Sequence, residues 1–109
     1  MLELLQQRDA QRQTDRLLEC QRAHELLREV LHRHLPGQRV WLFGSLLKPG
    51  RFNAASDIDL AVDTLPEGMS IYTLTALLEE DMRRPVDVVY LPESRLRSKI
   101  IAEGEVWIA

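Results

Sequence analysis

From Leu17 to Leu35 the apolar residues Leu17, Leu18, Leu27, Val30, Leu31 and Leu35 recur at steps of three and four, the spacing of one face of a helix. Pro36-Gly37 ends that pattern. The stretch before it, QQRDAQRQTDR, is polar all round, so residues 1–16 read as either a solvated helical extension or a disordered terminus. Leu2, Leu4 and Leu5 have no evident core to join there, which leaves open a contact with another chain and hence a homo- or hetero-oligomer.

After the break the period changes. RVWLF reads as a short buried strand, DIDLAV as a second, PVDVVYL as a third and EVWI as a fourth. Between the second and third, Ile71, Leu74, Leu77, Leu78 and Met82 form a helical stripe that Ser70 can cap. Pro92 to Glu103 reads as a last short helix stopped by Gly104. Strands interleaved with helices predict a sheet with helices packed on it, in one domain over residues 17–109.

One strand breaks the rule for burial. In DIDLAV the alternation sends Ile58, Leu60 and Val62 to one face and Asp57, Asp59 and Ala61 to the other. In PVDVV it sends Val86 and Val88 to the core and Asp87 to the opposite face. If the two strands are neighbours, three carboxylates converge. Such a cluster repels itself and takes up protons unless a cation is present. A hard divalent metal keeps all three ionised, and Mg²⁺ favours a few carboxylates together with water and phosphate oxygens. Two such ions can activate an attacking oxygen and stabilise a leaving pyrophosphate.

Phe43-Gly44-Ser45 supplies a complementary element. A strand running into Gly-Ser makes a turn in which backbone N–H groups can approach an anion closely, and the serine hydroxyl adds a donor. Gly-Ser alone is a weak signal. Followed at a loop's distance by Ser-Asp-Ile-Asp-Leu and then by Val-Asp-Val-Val, it is a strong one.

Composition narrows the partners. The 109 residues carry a net charge of -3, from 14 basic and 17 acidic side chains, which argues against a surface built for a nucleic-acid backbone. With no signal peptide and no apolar run long enough to cross a bilayer, the expected address is the cytoplasm, away from any membrane. Cys20, the one cysteine, falls in the helical pattern and reads as a buried or half-buried structural thiol. His24, His32 and His34 lie on the same helix without partners at metal spacing and read as solvated or packed. Asp63 and Ser56 read as strand-end and turn residues, and Trp41, Trp107 and Tyr90 as core or rim aromatics.

The run FGSLLKPGRFNAASDIDLAV with RPVDVVYL resembles the polymerase-β-like nucleotidyltransferase superfamily, and within it the small stand-alone minimal nucleotidyltransferases, the MNT or MntA-like antitoxins. The likeness extends from about Val30 to the closing IIAEGEVWI. It implies an α+β fold with a small mixed sheet, helices packed on it and a long N-terminal helix. It also implies that Gly44 and Ser45 hold a nucleoside triphosphate, that Asp57 and Asp59 bind two Mg²⁺, and that Asp87 completes the metal site and helps activate the acceptor hydroxyl. Family members usually carry an arginine soon after Gly-Ser, where this chain has Leu46-Leu47-Lys48; Lys48 or Arg51 can supply that charge.

The activity so implied is transfer of AMP from ATP to a hydroxyl, often a tyrosine of a HEPN-domain toxin encoded beside the antitoxin. Two alternatives stand next to it: a non-catalytic antitoxin acting by binding, and a small-molecule transferase of the aminoglycoside-modifying type, whose members normally carry a further domain. The chain has no Arg-x4-His ribonuclease signature of its own, since Glu19, Leu27 and Glu29 stand five residues before its three histidines.

Overall fold

In the computed structural model, which describes residues 2–109, α1 runs unbroken from Leu2 to His34. Met1 lies outside the described residues, as does the side chain of Leu2. The polar stretch before Leu17 is therefore helix, built from good helix formers and stitched by Gln11 Nε2 to Asp15 Oδ1 at 2.9 Å. Its residues are exposed up to Leu18, Leu4 and Leu5 included. A helix of 33 residues spans about 50 Å, and α1 accordingly sets the 58 Å long axis of the molecule.

Four strands follow: β1 (Arg39–Phe43), β2 (Ile58–Val62), β3 (Val86–Tyr90) and β4 (Glu105–Ile108). They form one mixed sheet in the order β3-β2-β1-β4, with β1 antiparallel to β2 and β4, and β2 parallel to β3. A parallel pair needs a crossover, and α2 (Ile71–Met82) supplies it. The Ser70 side chain accepts from Thr73 N at 3.1 Å at its start, and Arg83 closes it in the left-handed conformation at φ 56.

The helices divide between the two faces of the sheet. One face is covered by α1 through Ala23, Leu27, Val30, Leu31 and Leu35, and by α2 through Leu74, Leu78 and Met82; these pack against Val40, Leu42, Ile58, Leu60, Val62 and Val88. Arg33 and His34 of α1 meet Asp81 of α2, at 3.0 and 2.6 Å. Cys20 is buried in this layer, and burial pushes its thiol pKa up, as expected of an unreactive structural cysteine.

The opposite face carries a smaller cluster of Trp41, Ala61, Leu91 and Ile100. Ile100 belongs to α3 (Arg97–Glu103). The single helix expected over Pro92–Glu103 is thus two pieces, a 3₁₀ turn at Leu91–Glu93 and then α3, because the chain turns at Ser94, whose Oγ accepts from Leu96 N at 3.1 Å. At the end of α3, Gly104 lets the helix lie against β1: a Cβ there would sit 3.0 Å from the Leu42 carbonyl and 2.5 Å from that of Ile100. Among the described residues no helix is long and apolar enough to cross a membrane.

Candidate active site

The site begins where β1 stops. Gly44 adopts φ +72, a conformation that costs an L-residue roughly 1–2 kcal/mol, and the chain turns there into a 3₁₀ turn over Gly44–Leu47. Fully buried Leu46 pins this turn to the core. The loop beyond it is equally tied down. Lys48 N donates to Ser45 O at 2.9 Å, Arg51 N and Phe52 N both donate to Lys48 O, and Phe52 is fully buried. A turn over Asn53–Ser56 then delivers Asp57 to the start of β2. Asp57 stands one residue before the strand, which begins at Ile58 rather than at the aspartate.

Asp59 is the centre of the arrangement. It pairs with Phe43 on β1 and with Asp87 on β3. It is half-buried, whereas Asp57 and Asp87 are exposed. Gly44 lies against it so closely that a Cβ at position 44 would collide with Asp59 Oδ2 and come within 3.1 Å of Cγ. Burial pushes the Asp59 pKa up from its ordinary 3.8, and the charges of Asp87 and then Asp57 push it further.

A cavity of about 510 Å³ opens beside Asp59. Phe43, Gly44, Leu47 and Lys48 form one side, and Leu96, which precedes α3, with Lys99, Ile100 and Glu103 of α3 form the other. Of the residues expected at the site, Gly44, Lys48 and Asp59 line this cavity. Ser45, Arg51, Asp57 and Asp87 do not. The α3 wall has no counterpart in the expected site. Its signal was nonetheless in the sequence, because residues 96, 99, 100 and 103 fall on one helical face. Among the described residues neither Lys48 nor Lys99 has an acidic partner within ion-pair distance.

Among the described residues no three His, Cys, Asp or Glu side chains close into a ready-made cation cage. Mg²⁺ does not ask for one: it binds through one or two carboxylates and keeps several waters and phosphate oxygens. An all-oxygen donor set in which the charges of Asp87 and Asp57 add to burial in raising the proton affinity of Asp59 fits such an ion.

The chain belongs to the family described as polymerase beta, nucleotidyltransferase, whose model matches residues 25–108. A solved structure described as the "Crystal structure of the toxin-antitoxin with AMP-PNP" shares the fold at a TM-score of 0.57 and 24% identity, over 78% of this chain and 73% of that one. Comparison with curated proteins gives no significant match.

Proposed function

We propose that the protein is a Mg²⁺-dependent nucleotidyltransferase that moves AMP from ATP to a tyrosine hydroxyl of a HEPN-type toxin and so acts as its antitoxin. The observation that carries this reading is the apposition of the Gly44 turn to Asp59, which is itself paired with Asp87. That apposition supports reading the turn as the phosphate contact and the carboxylate as a metal ligand of one site. Family membership supports the reaction type, and the toxin-antitoxin neighbour crystallised with AMP-PNP supports the nucleotide and the kind of partner.

In this reading Asp57, Asp59 and Asp87 would hold the divalent ions, two in number. Bound Mg²⁺ neutralises triphosphate charge and makes the attacking oxygen more nucleophilic. The chain's own residues do the rest. The glycine at position 44 lets N–H groups of the turn approach the phosphates, Ser45 adds a hydroxyl donor, and Lys48 and Lys99 supply positive charge from either side of the cavity. Asp87, exposed at the strand end, takes the acceptor proton as the tyrosine oxygen bonds to the α-phosphorus and the bond to the leaving pyrophosphate breaks. A protein acceptor suits an open site, because the partner brings its own binding surface.

A contact-only antitoxin is the second reading. It is favoured by the residues that follow Gly-Ser: Leu46 is fully buried and Arg51 lies outside the cavity, so no arginine of that loop lines it. Purified protein given Mg²⁺, ATP labelled on the α-phosphate and the product of the neighbouring gene distinguishes the two. Label on a tyrosine of that product, lost with Asp87→Ala, supports transfer; a stable unlabelled complex supports contact alone.

A further inference from the structure

Arg84 joins three parts of the chain. Its side chain is only 12% exposed, and every group that holds it lies far away in sequence. Nη1 donates to the Asn53 carbonyl at 3.2 Å and to the Ser56 carbonyl at 3.1 Å. Nη2 donates to the Glu19 carboxylate on α1. The guanidinium also lies 4.8 Å from the centroid of the Phe52 ring, in the range of a cation–π contact.

These contacts fall on the segment that delivers the acidic site. Asn53 and Ser56 are the two ends of the turn before Asp57, already cross-linked by Asn53 N to Ser56 Oγ at 2.9 Å and Ser56 N to Asn53 O at 3.0 Å. The residue after Arg84 is Pro85, whose carbonyl accepts from Ile58 N at 3.0 Å at the start of β2. Two residues further on stands Asp87. Arg84 therefore sits where β2 and β3 begin, beside the turn that precedes Asp57. A planar guanidinium can serve two carbonyls with one nitrogen and a carboxylate with another, which a lysine ammonium on a flexible stem cannot reproduce in fixed geometry.

We propose that Arg84 is the positioning residue of the acidic site: held by Glu19, it clamps the Asn53–Ser56 turn and so fixes Asp57 and Asp59 relative to Asp87 before any ligand arrives. The inference rests on the reading of those aspartates as metal-binding. A role in stability alone predicts a lower melting temperature and nothing more. A positioning role predicts in addition that the folded protein binds metal less well, as supporting residues around metal sites do when lost, by about 10–100-fold.

The test uses Mn²⁺ as a paramagnetic probe, titrated in the presence of ATP into wild type, Arg84→Lys and Glu19→Gln, each melted separately and measured well below its own transition. Arg84→Lys keeps the charge opposite Glu19 and loses the double carbonyl clamp; Glu19→Gln keeps the clamp and loses its charged anchor. The expected result is Mn²⁺ binding weakened by about tenfold or more in Arg84→Lys and by less in Glu19→Gln. Wild-type Mn²⁺ affinity in both folded variants would overturn the positioning role while leaving the metal reading intact. Failure of the wild type to bind Mn²⁺ would overturn the metal reading, and this inference with it.

Discussion

Gly44 and Asp59 are in direct apposition: the α-carbon of the turn faces the carboxylate of the strand, with no room between them for a methyl group. The turn and the acidic strand are thus one unit, and each limits what the other can become.

Gly44→Ala combines two penalties, a left-handed backbone without glycine and a collision with Asp59. The first costs about 1–2 kcal/mol, and the second moves the carboxylate. The variant should melt lower than wild type and bind ATP with Mn²⁺ at least tenfold more weakly, as measured by calorimetry. Unchanged binding would separate the turn from the site.

The metal-free protein should lose stability as pH rises above the ordinary carboxylate range. Burial, Asp87 and Asp57 hold the Asp59 proton on in the folded state beyond its usual 3.8. Between that value and the raised one the native state binds more protons than the unfolded chain, so unfolding becomes easier with increasing pH. Above the raised pKa the penalty is constant. Asp59→Asn should flatten this slope and match or exceed wild-type stability at neutral pH without metal, while abolishing Mg²⁺-dependent transfer. Asp81, whose carboxyl is held below its ordinary value by the hydrogen bond with His34 and by Arg33, contributes the opposite slope below pH 3.8, outside the Asp59 window. Urea melts across pH 3 to 8 read both.

Lys48 and Lys99 face the cavity from opposite walls and Arg51 does not. Lys48→Gln and Lys99→Gln should each weaken ATP binding by about tenfold, ~1.4 kcal/mol, the scale of a charge-assisted hydrogen bond, with little change in melting temperature. AMP binding should fall less. Arg51→Gln should leave both affinities near wild type. Ser45→Ala should weaken nucleotide binding more than it lowers the melting temperature, and unchanged nucleotide affinity would leave Ser45 a turn residue only.

Arg83 is the one non-glycine residue with positive φ among those described, and its side chain is exposed. Arg83→Gly removes that strain at the end of α2 and should stabilise the fold by about 0.5–1 kcal/mol. For a domain of this size the melting temperature should rise by a few degrees.

The strands and α2 were legible because local period and burial agree: RVWLF and EVWI became β1 and β4, PVDVVYL without its first and last residues became β3, and Ser70 caps α2 as its type predicts. The pairing of Asp59 with Asp87 followed once β2 and β3 proved to be parallel neighbours. The polar half of α1 was ambiguous because nothing in QQRDAQRQTDR marks a buried face. Arg84 was invisible for another reason: its partners Ser56, Asn53 and Glu19 lie 28, 31 and 65 residues away, and no local pattern encodes such contacts. Lys99 was overlooked because a charged residue on a short exposed helix is ordinary until the helix is found facing the Gly44 turn.

Adenylyl transfer to a partner is tested most directly by the intact mass of the neighbouring gene's product after co-expression with this protein, compared between wild type and Asp59→Asn. Nucleotidyl transfer predicts the added mass of an adenylyl group on a tyrosine with wild type and none with Asp59→Asn. Neutralisation of the toxin by both proteins with no added mass in either would contradict it.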